Sequence, residues 1–132
     1  QENSSSRVAI TSDGKVLRAF SDEEATSYSI PDGVTTIAQR AFSELENLKS
    51  VDIPDSVQFI MQNAFEDSGL SSVVLPANIK VIDEYAFFFC QKLSSVGYKG
   101  EIYTSISKLE KALKENRVII GYHSFASTAL AL

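Results

Sequence analysis

Residues 28–42 read YSIPDGVTTIAQRAF, residues 51–65 read VDIPDSVQFIMQNAF, and residues 73–87 read VVLPANIKVIDEYAF. The three prolines of the chain, Pro31, Pro54 and Pro76, lie 23 and then 22 residues apart in these copies. Apolar residues recur at fixed offsets from each proline and end at an Ala-Phe pair. A fixed period of about 20–50 residues is the sequence signature of a solenoid. The stretch therefore predicts a coil of stacked turns.

Several columns of residues hold this register across all three copies. They are the triplets Val34, Val57 and Ile79; Ile37, Ile60 and Ile82; Ala41-Phe42, Ala64-Phe65 and Ala86-Phe87; Leu48, Leu70 and Leu93; and Val51, Val73 and Val96. A one-residue deletion at Ser68-Gly69 is the single length change, and we expect a turn to absorb it. Because one turn cannot bury its apolar side alone, turns stack and short parallel strands form, each ending at the proline bend.

The repeated pattern resembles the BspA-like class of leucine-rich repeats over residues 28–98. Cys90 lies where that class often carries a cysteine, and the other copies have Leu45 and Ser68 there. The resemblance implies a leucine-rich-repeat solenoid of the α/β class, built mostly of short parallel strands and turns, with about three and a half repeats of 22–23 residues. It also implies a secreted or cell-surface protein that binds host matrix proteins or other cells.

The N-terminal residues are predicted to cap the coil. Within residues 7–27, which resemble the N-terminal hairpin of that class, apolar residues alternate on both sides of the turn signal Ser12-Asp13-Gly14. Terminal segments of solenoids shield apolar edges, so we interpret this hairpin as structural. Residues 1–6 are expected to form a disordered tail. A start at Gln1 without a leader is expected for a processed or truncated chain, so it does not argue against secretion.

The C-terminal residues depart from the repeat. After Tyr98 no Ile-Pro copy follows, and residues 99–119 are predicted to form a helical insertion, capped by Ser105 or Ser107 and closed near Asn116. Residues 120–132 then resume the last repeat or close the coil, with Ser124-Phe125 in the Ala-Phe column. The insertion is either a C-terminal cap or a contact element specific to this chain.

Composition excludes several classes of partner and structure. The net charge is −5, and the 12 Lys and Arg residues are scattered, which argues against nucleic-acid binding. No apolar run approaches the roughly 20 residues needed to span a bilayer, so we expect no membrane insertion. Cys90 is the only cysteine, which excludes an intrachain disulfide. The oligomeric state is left open.

The residues also argue against catalysis. His123 adjoins Ser124, but the alignment places Ser124 in a buried column, and no nucleophile-elbow motif is present. One His and one Cys without partner spacing make no zinc site, and Cys90 is interpreted as a small core residue. Acidic runs at 22–24, 66–67 and 83–84 are interpreted as a solvated face, with a weak calcium contact left open. We predict no catalytic site, no metal site and no cofactor.

Two outward-facing surfaces are candidates for binding a partner. The column of Thr36, Phe59 and Val81 should face outward, with Met61 and Tyr85 near it; exposed apolar patches mark contacts. The strands carry a second surface with Ser50, Asp52, Ser72 and Val74. The partner is then a protein, or alternatively a carbohydrate held by the aromatic residues of an enzyme's accessory module. The competing hypothesis is a structural spacer or docking domain, in which the insertion or a neighbouring domain covers Phe59 and Val81.

Overall fold

The computed structural model describes residues 7–132, so the tail predicted over residues 1–6 lies outside the described part of the chain. The described residues form eleven short strands and one helix. The strands are β1 (Val8–Ile10), β2 (Val16–Phe20), β3 (Ser27–Ser29), β4 (Thr36–Ile37), β5 (Ser50–Asp52), β6 (Phe59–Ile60), β7 (Ser72–Val74), β8 (Val81–Ile82), β9 (Ser95–Tyr98), β10 (Glu101–Tyr103) and β11 (Ile119–Ile120), and the helix is α1 (Ile106–Glu115). They wind into the predicted solenoid.

The first wall of the coil consists of β3, β5, β7, β9 and β10. Strand β3 pairs with β5, and β7 pairs with β9, both in parallel. Between the two pairs, the Ser71 N–H donates to the Lys49 carbonyl at 3.2 Å. The valine at the centre of β5, β7 and β9 is buried in each case, because alternate residues of a strand point to opposite faces. Each strand of the first three turns ends just before the Ile-Pro or Leu-Pro pair, as predicted.

The second wall is a six-stranded sheet in the order β1-β2-β4-β6-β8-β11. All its pairs are parallel except β1 with β2, which form the antiparallel N-terminal hairpin. One inward-facing ladder crosses the sheet through Leu17, Ile37, Ile60, Ile82 and Ile120, of which the first four are fully buried and Ile120 is half-buried. Strand β2 thus supplies a rung to the coil, and β1 covers the edge that β2 would otherwise expose.

Each turn closes through a corner segment that follows its second-wall strand: residues 38–45, 61–68, 83–90 and 121–128. Every corner holds two residues in the left-handed region, at φ between 53° and 64°. They are Arg40 and Glu44, Asn63 and Asp67, Tyr85 and Phe89, and His123 and Ser127. Such values are uncommon for residues other than glycine. The sequence did not predict them, because five of the eight side chains belong to types without a left-handed preference.

Hydrogen bonds between turns hold the corners. In the first corner the N–H groups of Arg40, Phe42 and Glu44 donate to the carbonyls at 62, 64 and 66, at 2.7–3.1 Å. The second corner donates in the same way to the carbonyls at 84, 86 and 88, and the third to those at 122, 124 and 126. Backbone groups that would otherwise lack partners are thereby satisfied by the next turn.

A column of stacked rings fills the core beneath the corners. Phe42, Phe65, Phe87 and Phe125 lie parallel within 5°, with ring centroids 4.9, 5.1 and 5.3 Å apart in order. Phe20 extends the column at the N-terminal end, 5.2 Å from Phe42. The spacing lies within the range of favourable aromatic pairs. The sequence predicted the last four members, but Phe20 reaches this position through a shorter path and was missed.

The one-residue deletion has a steric basis that the sequence did not show. Gly69 lies against the preceding turn, and a Cβ at this position would be 2.1 Å from the Glu46 carbonyl oxygen. Its N–H donates to the Leu45 carbonyl at 3.0 Å. The shortened connection between this corner and Leu70 therefore depends on a residue without a side chain.

Residues 99–119 contain more than the helix predicted there. Strand β10 folds back on β9 as an antiparallel hairpin, with Lys99 and Gly100 at positive φ in its turn. Helix α1 follows, with Ser105 as N-cap and Asn116 as C-cap. Its Leu109 and Leu113 are buried in the core. The insertion thus adds a strand to the end of the first wall as well as a helix to the core.

Candidate functional site

The outward column predicted on the second wall is a continuous ladder in the structure. Thr36 pairs with Phe59, Phe59 with Val81, and Val81 with Ile119. Thr36, Phe59 and Val81 are half-buried, whereas Ile119 is 66% exposed. We name Phe59, Val81 and Ile119 the apolar strip. Ile119 was missed, although the alignment of Ile120 with Ile37 carried the signal for it.

Neither of the two residues expected beside this column belongs to a second-wall strand. Met61 directly follows β6, at the start of the corner segment 61–68, and is half-buried. Tyr85 lies in the next corner segment, where its ring meets that of Phe88 edge-on at 5.1 Å and that of Tyr122 at 5.8 Å.

Tyr85 belongs to an aromatic cluster that the sequence did not predict. Its other members are Phe88, Phe89, Tyr122 and His123; the Tyr122 and His123 rings stack with centroids 3.8 Å apart. Phe89 is 41% exposed and Tyr122 61% exposed. Large rings at this exposure on a corner are a candidate contact surface.

The remaining predicted residues lie on the first wall, apart from the strip. Ser50 and Asp52 on β5 and Ser72 and Val74 on β7 are all exposed. The Ser29 hydroxyl donates to the Asp52 carboxylate at 2.9 Å, linking β3 to β5. The eight predicted residues are therefore divided between the two walls and two corners, and do not converge on one site.

The first wall also carries an exposed apolar pair. Val74 is 68% exposed and Ile102 is 76% exposed, and both lie in register with Gly97 between them. A Cβ at Gly97 would be 3.3 Å from a Val74 methyl group. Ile102 was missed because β10 was not predicted.

The groups considered for catalysis are not arranged for it. The Ser124 side chain is fully buried and its Oγ has no hydrogen-bond partner within residues 7–132, whereas His123 is exposed. Cys90 is buried; its Sγ donates to the Phe65 carbonyl at 3.0 Å and lies 3.3 Å from the Ser68 hydroxyl. Burial raises the pKa of the Cys90 thiol, which keeps it in the unreactive protonated form at neutral pH.

Charged residues are distributed over the surface. The Arg7 and Asp22 side chains lie 3.2 Å apart, and those of Arg40 and Glu66 lie 3.8 Å apart, both with substantial exposure. Within the described residues no group of three or more His, Cys, Asp and Glu side chains is placed to hold a metal ion. Across residues 7–132, no helix has both the length and the apolar character to cross a membrane.

Comparison with protein families identifies a repeat family that covers most of the chain. The profile of the BspA type leucine-rich repeat region matches residues 17–131, in 6 copies. The match begins at Leu17, the first rung of the inward-facing ladder in the second wall. No curated protein matches the chain. Among solved structures, the crystal structure of a leucine-rich repeat protein from Eubacterium ventriosum is similar at 16% identity, with a TM-score of 0.44. That alignment covers 95% of this chain and 49% of the other, so the chain spans about half the length of that relative.

Proposed function

The chain belongs to the BspA type leucine-rich repeat family, and from this premise we propose that it binds proteins at the surface of, or outside, the cell that makes it. The finer proposal is adhesion: contact with host matrix proteins or with other cells. A repeat solenoid suits this role, because stacked turns present rows of side chains over an extended surface.

The observation that carries the proposal is the apolar strip. Two of its members are half-buried and the third, Ile119, is 66% exposed, on the outward face of a sheet whose inward face already fills the core. Apolar side chains on an outward face do not stabilise the fold as core residues do. Contiguous exposed apolar groups mark contact surfaces, and aromatic residues such as Phe59 are enriched in them.

The test is a binding assay of the purified chain on immobilised host extracellular-matrix proteins, by surface plasmon resonance. The strip variants are Ile119→Asp and the double variant Phe59→Asp with Val81→Asp. Ala77→Asp is the matched control, since Ala77 is exposed in the bend that follows β7 and belongs to neither candidate surface. Circular dichroism and a urea unfolding curve verify that each variant folds.

We expect the strip variants to lose at least about tenfold in affinity, the usual minimum for a contact residue that matters, and the control to bind normally. Strip variants that fold and bind normally would show that the strip is not the contact. Absence of binding to every matrix protein would favour the spacer or docking hypothesis.

The aromatic cluster favours a second candidate, binding of carbohydrate. Exposed rings of the kind seen at Phe89 and Tyr122 offer flat apolar faces with polar groups nearby. Glycan-array binding that is lost in Tyr122→Ala but kept in Ile119→Asp would support this candidate over protein adhesion. The opposite pattern would exclude it.

A further inference from the structure

The shortened connection after the second corner coincides with a cavity between three turns. Residues 45–47 and 90–92 connect the first and third corners to the leucine that follows them, whereas only residues 68–69 do so after the second corner. Gly69 adds no side chain here, since a Cβ would lie 2.1 Å from the Glu46 carbonyl oxygen. A cavity of about 280 Å³ lies at this place, lined by residues of all three turns. We name it the notch.

One side of the notch is an aromatic ring. Phe89 lines it and is 41% exposed, in the column where the first two corners have Glu44 and Asp67. Its backbone is left-handed, at φ 64°, which is uncommon and costly for a bulky residue. The third corner thus holds a partly exposed ring where the preceding corners hold carboxylates.

The other side chains that line the notch are polar and of mixed type. Glu46 and Asp67 supply carboxylates, Gln91 supplies an amide and Lys92 supplies an ammonium group. Neither ion pair of residues 7–132 includes Glu46, Asp67 or Lys92. Carboxylates accept hydrogen bonds, an ammonium group donates them and an amide does both. The lining therefore suits a ligand that has one apolar face and several groups that both donate and accept.

We propose that the notch binds one neutral hexopyranose unit of a glycan. The C–H groups on one face of a pyranose ring pack on Phe89, and its hydroxyls donate to the carboxylates and accept from Gln91 and Lys92. The Lys92 ammonium group disfavours a cationic side chain of a partner protein, and the two carboxylates disfavour an anionic sugar. The volume lies just below the usual range for small-molecule sites, about 300–1,000 Å³, which limits the occupant to a single unit.

This inference rests on the second candidate function, binding of carbohydrate by the aromatic cluster, and adds a subsite to it. Ring contacts connect Phe89 to Phe88, Phe88 to Tyr85 and Tyr85 to Tyr122, with centroids 5.7, 5.1 and 5.8 Å apart. An oligosaccharide then places one unit in the notch and further units against the other rings. Tyr122→Ala should weaken binding of an oligosaccharide but leave the affinity of the notch for a single sugar unchanged.

The probes are the methyl glycosides of glucose, galactose, mannose and N-acetylglucosamine, each titrated separately into the ¹⁵N-labelled full chain. The amide chemical shifts of Gly69, Phe89 and Gln91 report on the notch. We expect a dissociation constant of about 1–10 mM for at least one glycoside, as befits about a dozen non-hydrogen atoms at ordinary ligand efficiency. Methyl glucuronide and N-acetylarginine amide are the anionic and cationic comparison ligands, and both should bind more weakly.

Phe89→Asn removes the ring and suits the left-handed backbone, so the fold is retained. It should weaken glycoside binding at least about fivefold, as expected for the loss of one ring contact. Phe89→Tyr keeps the ring and should bind normally. Glu44→Asn is the matched control, because Glu44 is the exposed, left-handed counterpart in the first corner at φ 62° and does not line the notch. Urea unfolding verifies that each variant folds.

Three results would overturn the proposal. The first is that none of the four glycosides shifts the amides of the notch. The second is that Phe89→Asn folds and binds as tightly as the unmodified chain. The third is that N-acetylarginine amide binds more tightly than every glycoside, which would favour a cationic side chain of a partner protein instead.

The glycan array separates failure of the subsite from failure of carbohydrate binding as a whole. Oligosaccharide binding that is lost in Tyr122→Ala, together with a notch that no glycoside shifts, would overturn the subsite alone. Absence of binding both on the array and in the titrations would overturn the subsite and the second candidate function together.

Discussion

The stacked ring column should set the stability of the coil, and Phe65→Ala is the sharpest test. Phe65 is fully buried and stacks on both sides, against Phe42 at 4.9 Å and Phe87 at 5.1 Å. Truncating a buried Phe to Ala costs about 3–5 kcal/mol through lost burial and the cavity left behind. Two ring contacts of about 0.5–1.5 kcal/mol each are lost as well. We therefore expect Phe65→Ala to lower the free energy of unfolding by about 5 kcal/mol. Domains of this kind are stable by about 5–15 kcal/mol, so the change is severe.

Two further variants separate the ring contacts from burial. Phe65→Leu retains an apolar side chain and loses both ring contacts, so about 1–3 kcal/mol is expected. Phe125 lies at the end of the column, so Phe125→Ala loses only one ring contact, the one to Phe87 at 5.3 Å. Its cost should be about 1 kcal/mol smaller than that of Phe65→Ala.

The assay is urea unfolding followed by far-UV circular dichroism, with linear extrapolation to water and comparison of the slopes. The slope should be unchanged if the turns still unfold together. A cost for Phe65→Ala below about 2 kcal/mol, well under the range for a buried Phe, would refute the role given to the column. A larger loss in the free energy of unfolding for Phe125→Ala than for Phe65→Ala would also refute that role.

Two other predictions concern buried polar groups. Ser124→Ala should raise the free energy of unfolding by about 1–2 kcal/mol, because it removes a buried hydroxyl without a partner; a loss of stability in urea would contradict this. Stability should fall as pH rises above about 8.5, the ordinary thiol value, because burial raises the pKa of Cys90 and only the unfolded chain then releases the proton. Cys90→Ala should show a smaller fall between pH 7 and 9.5 in the same assay, and an equal fall would exclude the thiol as its source.

Much of the fold could be predicted because the repeat places identical groups in identical surroundings. The buried ladder of Ile37, Ile60 and Ile82 and the ring column follow directly from residues at fixed offsets. The resumption at Ile120 was also predictable, since the spacing from Ile120 to Phe125 copies that from Ile37 to Phe42.

What could not be predicted depends on contacts between turns. Strand β10 forms because β9 has an open edge at the end of the first wall, and the short segment 101–103 has no periodic signal of its own. The aromatic cluster brings Tyr85 to Tyr122 across the helical insertion. The left-handed residues of the corners include Arg40 and Phe89, side chains that give no local indication of that backbone.

The candidate site likewise has one feature that the sequence predicts and one that it does not. The outward position of Phe59 and Val81 came from alternation, and the register in the second wall connects them. Alternation did not predict that both side chains are half-buried, because this depends on neighbouring side chains of adjacent turns.

The two left-handed residues in each corner constrain how such a chain can change. Backbone of this kind costs about 1–3 kcal/mol per residue, and in the first three corners the bonds to the next turn help to offset it. An insertion in a corner would break backbone hydrogen bonds with both neighbouring turns. The bend after each first-wall strand forms few such bonds, so an insertion there disturbs less. The insertion of this chain lies at that bend, between β9 and β11. New elements are therefore expected to be acquired on the bend side of the coil, while the corners keep their length through evolution.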